Sequence, residues 1–129
     1  MRDRDTIVAA ARACVGARFR PHGRRPEHGL DCVGVAAVAF GREIAADYPM
    51  RGGSAEQVGR LIDATGLVRV MAGGARAGDL VLLAAGAGQL HLAVLTERGF
   101  IHADIGLRRV VEAPGRLVLP LLAAWREGD

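Results

Sequence analysis

Lysine is absent from this sequence; all 17 basic residues are arginine. Genomic codon bias is a simpler reading of that than a dedicated basic patch. Aromatic residues make up only 4% of the chain, so the stacking platform of a single-strand nucleic-acid binder is missing. No apolar run approaches a membrane span. The opening stretch, "MRDRDTIVAAARACVGARF", is not a secretory signal: Asp3 and Asp5 spoil the positive region and Arg12 cuts the apolar stretch short. The expectation is synthesis in the cytoplasm, where a disulfide between Cys14 and Cys32 does not form. There is no solenoid-length repeat. "AGGARAGD" lacks the lysine of a phosphate-binding loop, and no G-x-G-x-x-G follows a strand.

What is present suits one compact domain over residues 1–129, with half of the residues hydrophobic and a net charge of +3. Residues 3–15 place Ile7, Val8, Ala11, Cys14 and Val15 on one helical stripe that ends at Gly16. Residues 17–30, rich in Arg, Pro and Gly, read as a loop. "DCVGVAAVAFGRE" reads as a central helix, apolar nearly all round, with Asp31 as N-cap. After a second loop, "ADYPMRGG", a third helix begins with Ser54 and Gln57 at capping-box spacing and ends at Gly66.

The second half changes character. "LVRVM", "DLVLLAA", "LHLAVLTE", "FIHADI" and "RRVVEA" are short, rich in branched residues and separated by turns, which predicts an antiparallel sheet of about five strands. The tail "LVLPLLAAWRE" fits either a short helix or a last strand. Helices first and strands second predict an α+β fold.

Cys32 falls in the first turn of the central helix, where unpaired N–H groups and the helix dipole favour a thiolate. Gly34 and its small neighbours leave room for a second chain to approach. A nucleophilic thiol needs a base, and the base an orienting partner. His22 and His28 lie in the Arg/Pro/Gly loop and read as solvated. His91 and His102 lie on adjacent predicted strands. A two-residue turn at Glu97–Arg98 sets 91 opposite 104 and 93 opposite 102, making the two imidazoles same-face diagonal neighbours across Ala93. Asp104 shares that face and is the second choice for the orienting group. Each histidine alone reads more readily as a half-buried sheet residue; it is the combination with Cys32 that points to catalysis. A zinc site from Cys32, His91 and His102 lacks the usual ligand spacings, and no cofactor is expected. Cys14, on the apolar stripe, reads as core. Arg18, Arg20, Arg24 and Arg25 either fork onto carboxylates or form a solvated loop face.

The segments "GARFRPHGRRPEHGLDCVGV", "LHLAVLTERGFIHAD" and "RRVVE" together resemble the NlpC family of papain-like cysteine peptidases, bacterial and phage enzymes that cut peptidoglycan stem peptides. The resemblance runs over nearly the whole chain, from about residue 6 to 126. It implies Cys32 as nucleophile, His91 as general base and His102 as the residue that orients it. It implies a helix bearing the cysteine packed on an antiparallel sheet bearing the histidines. Asp31, Phe19, Arg20 and Arg24 become the residues expected against substrate. Phe19 stands where many members carry a tyrosine that lines the site, and Ala93 stands where glycine is frequent. The size and loop pattern resemble the small members of phage tails and gene transfer agents, which a particle or lysis delivers to the cell wall.

The expected activity is therefore thiol hydrolysis of a stem-peptide amide, between D-glutamate and a diamino acid. The expected partners are that peptide and phage-tail or gene-transfer-agent proteins, not nucleic acid. Two rivals remain open on the sequence: a non-enzymatic tail or peptidoglycan-binding component of the same fold, and an acyltransferase using the same thioester chemistry.

Overall fold

The computed structural model describes residues 2–46, 48, 54–84, 90–115 and 120–128. Helix α1 (Arg4–Arg12) is capped by Asp3, whose side chain accepts from the Thr6 N–H at 2.7 Å. Ile7, Val8 and Ala11 face inward as the stripe predicts, and Cys14 beyond the helix is fully buried. Val15, by contrast, is exposed, because the chain turns away after Ala13. Gly16 adopts a φ of +94° that a side chain would strain, and its N–H donates to the Val110 carbonyl.

Residues 17–30 are more ordered than a loop. They hold two short paired strands, β1 (Arg24–Arg25) and β2 (Gly29–Leu30), and isolated bridges join Arg18 to Arg109 and Phe19 to Leu30. Arginine-rich composition hid this, because the pairing partners are distant or only two residues long.

Helix α2 (Cys32–Phe40) carries Asp31 as N-cap and stops at Gly41 in the left-handed region. It ends short of the predicted "GRE". Nearly every side chain is buried, as an all-round apolar helix requires. Gly34 is not an opening for a second chain: its Cβ position lies 2.1 Å from the Gly23 carbonyl oxygen. The chain's own loop fills that space. Helix α3 (Ala55–Asp63) has the full capping box of Ser54 and Gln57. Most of "ADYPMRGG" lies outside the described residues.

The sheet has six strands: β3 (Val68–Val70), β4 (Leu80–Ala84), β5 (Leu90–Leu95), β6 (Gly99–Asp104), β7 (Arg109–Pro114) and β8 (Leu121–Arg126), with a 3-10 turn at Ala72–Gly74 after β3. Their spatial order is β3-β8-β4-β5-β6-β7, antiparallel throughout. The ambiguous tail is thus the sixth strand, inserted between β3 and β4. It brings Trp125 into the core, where the indole N–H donates to Asp63 at 2.9 Å.

One sheet face, with Leu80, Leu82, Leu92, Val94, Ile101 and Ala103, packs with α1 and α2 in the main core. Each of these leucines, Val94 and Ile101 contributes roughly 1.5–3 kcal/mol. Alternation puts Val81, Leu83, Ala93 and Ala124 in a smaller cluster on the opposite face. Among the described residues no helix is long and apolar enough to cross a membrane.

The contact at Gly34 makes a stability prediction. Gly34→Ala should lose about 3 kcal/mol or fail to fold, since its Cβ meets backbone that cannot yield. Gly73→Ala, with nothing within 4 Å of its Cβ position, should be near neutral. Denaturant melts of the two variants check the contrast.

Candidate active site

The start of α2 is built around Asp31, only 1% exposed. Its Oδ1 accepts from the Gly34 N–H at 2.7 Å and from Arg24 at 3.0 Å. Its Oδ2 accepts from the His22 N–H at 2.9 Å and from the Tyr48 hydroxyl. A buried carboxylate needs such partners, because an unpaired one costs several kcal/mol. These bonds commit both residues to the fold: Asp31 is buried behind four donors, and Arg24, expected with it against substrate, also donates to the carbonyls of Gly23, Ile44 and Ala45.

His22 departs from the expectation. It is not a solvated loop residue: its Nε2 lies 2.8 Å from the Tyr48 carbonyl and its ring meets the Tyr48 ring edge-on at 4.7 Å. His28 is exposed, as expected. Phe19 is half-buried against the core beside Leu30, and Arg20 is exposed.

The histidines sit where β5 and β6 part. Thr96 and Gly99 close the two-residue turn, and the register runs Leu95↔Phe100, Val94↔Ile101, as expected. The ladder then stops. Residues 90–93 continue against β4 and residues 102–104 against β7, so the expected pairs 93/102 and 91/104 are not formed. Across this divergence the rings of His91 and His102 stand edge-on with centroids 6.3 Å apart, and His102 also lies against Phe100 at 5.1 Å. Same-face placement holds. Among the described residues no hydrogen bond joins the two rings, or either ring to Cys32.

The divergence also frees backbone. The Thr96 N–H points to β6 and the Leu95 N–H to the Asp79 carbonyl on the other side. By alternation the Leu92 N–H points to β6, beyond the end of the ladder. The Leu92 N–H favours the charged form of the Cys32 thiol, so the sulfur lies toward the strand that carries His91.

Cys32 is half-buried, Cys14 fully so. Burial pushes the Cys32 thiol up to about 11. The N–H groups of Leu92, Val33 and Cys32 itself lower it, while the Asp31 charge raises it. The helix start thus supplies donors to the sulfur as expected, but burial outweighs them and the resting group is a thiol. Burial also lowers both imidazoles below their ordinary range, and the Asp104 charge opposes this at each. Asp104 itself accepts from the Leu107 N–H in the β6–β7 turn. With the thiol raised and the imidazoles lowered, all three groups rest uncharged, which suits proton transfer during attack rather than a standing ion pair.

Tyr48 and His22 are the residues that sequence reasoning missed. The one available signal was that Tyr48 is the sole tyrosine of an aromatic-poor chain.

No protein-family model matches the chain, and no curated protein does. Among solved structures it is similar to one described as the crystal structure of the NlpC/p60 domain of peptidoglycan hydrolase SagA. Identity is 23% and the TM-score 0.62, over 88% of this chain and 90% of that one. The α+β architecture, with its helices on an antiparallel sheet, matches the papain-like NlpC/p60 fold.

Thiol exposure separates the two cysteines. Native-state iodoacetamide should label Cys32 and spare Cys14, with a rate that climbs as pH rises toward the elevated pKa. Equal labelling of both in the folded protein would contradict the assignment.

Proposed function

We propose that the protein is a cysteine endopeptidase acting on peptidoglycan stem peptides, with Cys32, His91 and His102 as its triad. The observation that carries this reading is that β5 and β6 part where the rings of His91 and His102 stand edge-on at 6.3 Å, on the strand whose Leu92 N–H acts on the Cys32 thiol at the α2 start. The likeness in fold to a domain of a peptidoglycan hydrolase supports it.

In this reading the Cys32 sulfur attacks the amide carbonyl as His91 takes the thiol proton. The carbon–nitrogen bond breaks, His91 returns the proton to the leaving amine, and a thioester remains on Cys32. Water activated by His91 then cleaves the thioester and restores the thiol. The Cys32 N–H is the candidate donor for the carbonyl oxygen, which matters because Phe19 has no hydroxyl to offer. His102, whose ring stands edge-on to His91, orients the His91 ring, and the Asp104 charge acts on both.

The bond we assign is that between D-glutamate and a diamino acid, whose neighbourhood carries several carboxylates. Arg20 belongs to an exposed rim with Arg18, Arg108 and Arg109. Backbone contacts gather it: Arg18 bridges Arg109, and the Phe19 N–H donates to the Arg108 carbonyl. Among the described residues no acidic side chain pairs with any of these four. Such unneutralised guanidinium groups beside Phe19 and Leu30 suit a multiply anionic peptide. The loop pattern supports a phage-tail or gene-transfer-agent setting, with cytoplasmic synthesis and action at the cell wall after delivery by a particle or lysis.

The test is release of stem-peptide fragments from purified peptidoglycan. Cys32→Ala and His91→Ala should abolish it, and His102→Ala should reduce it less, since nucleophile and base remain. Activity should fall as pH drops through the lowered imidazole pKa values, below the ordinary histidine range, because the base must be neutral to accept a proton. Binding to peptidoglycan without fragment release, unchanged in Cys32→Ala, would favour a non-enzymatic role.

A further inference from the structure

We propose that Tyr48 and Arg24 are positioning residues for Cys32, acting through Asp31: they fix the carboxylate that caps α2 and hold its negative charge away from the neighbouring sulfur. This rests on the reading of Cys32 as the nucleophile.

Asp31 has conflicting duties. Its Oδ1 must cap α2 by accepting the Gly34 N–H, or the helix start loses its anchor. Yet its charge lies one residue from a group that must become an anion. A carboxylate so placed opposes ionisation of the thiol. The structure answers with three further donors. Arg24 supplies a full positive charge at 3.0 Å on the capping oxygen. The Tyr48 hydroxyl and the His22 N–H take the other oxygen. Each donor draws electron density toward the loop side of Asp31, away from the sulfur.

The donors also brace one another. The Arg24 guanidinium lies 5.3 Å from the Tyr48 ring centre, and His22 packs edge-on against the same ring. Arg24 further ties down the carbonyls of Ile44 and Ala45, so the segment after α2 is drawn back onto its start. His22 holds a φ of +60°, a left-handed conformation that aims its N–H at Asp31. Burial pushes the Tyr48 phenol far above its usual range, with the Asp31 hydrogen bond adding to it, so the hydroxyl stays a donor across the working pH range.

The other titratable groups of the site are on β5 and β6: His91, His102 and Asp104, whose charge reaches both imidazoles. None of them bonds Tyr48 or Arg24 among the described residues, so the two sets can be varied separately.

The experiment measures the pH dependence of Cys32 alkylation by iodoacetamide in a Cys14→Ala background, where one thiol reports. Tyr48→Phe should move the ionisation upward and slow alkylation near neutral pH by about threefold to tenfold, a pKa unit being a factor of ten. Arg24→Gln should do the same more strongly, and Arg24→Lys should restore part of the rate. Asp31→Asn keeps an acceptor for Gly34 but removes the charge, so it should move the ionisation downward. In that background Tyr48→Phe should have no further effect. Unchanged profiles in folded Tyr48→Phe and Arg24→Gln would overturn the proposal, as would equal effects of Tyr48→Phe with and without Asp31. If Arg24→Gln does not fold, the Tyr48→Phe and Asp31→Asn cycle decides alone. Alkylation needs no peptide substrate. Shifted profiles in a protein that cleaves no peptidoglycan would keep the proposal and overturn the assigned activity.

Discussion

A single buried carboxylate, Asp31, accepts from the first turn of α2, from the backbone at His22 and from the side chains of Arg24 and Tyr48. Remove it and three segments lose their common anchor. The helix loses its cap, the 20s loop its seat against Gly34, and the segment after α2 its tie to the helix start. Gly23 and Gly34 make the arrangement possible by letting backbone approach backbone with no Cβ between them. The cysteine is thus held by a packed polar cluster at the end of an apolar helix, with its sulfur turned toward the sheet.

The sheet contributes by ending one ladder early. Pairing between β5 and β6 stops after Val94↔Ile101, while β4 and β7 keep hold of the outer sides of both strands. Splaying two central strands leaves the Leu92 N–H without a β6 carbonyl to donate to, and sets the His91 and His102 rings edge-on across the mouth. A continuous ladder would satisfy that donor within the sheet. The local loss of sheet pairing is offset by the long apolar faces on either side, where Leu82, Leu92, Val94 and Ile101 stay fully buried.

Local patterns were legible in the sequence where one element decided them. Asp31 as a cap, the Ser54–Gln57 box, the Glu97–Arg98 turn and the shared face of His91 and His102 all follow from spacing within an element or one hairpin. Tertiary pairing was not legible. The short strands β1 and β2 have no periodicity to read, and β8 becomes a strand because β3 and β4 flank it. The ladder's early stop depends on what packs around it rather than on the residues of β5. Tyr48 was invisible for the same reason: its partner is seventeen positions earlier in the chain and on another element. The charge state of Cys32 was misjudged because a helix start suggests donors, whereas burial is read only in three dimensions.

The central claim is that Cys32, held at the capped start of α2, forms a covalent bond with a peptide carbonyl. Acid quenching of the protein during turnover of an isolated stem peptide, followed by intact-mass and peptide-mapping mass spectrometry, tests it directly. The account predicts an acyl adduct, with the mass of the amino-terminal fragment, on the tryptic peptide containing Cys32. Fragment release with no adduct at Cys32, or an adduct at Cys14 instead, would contradict it.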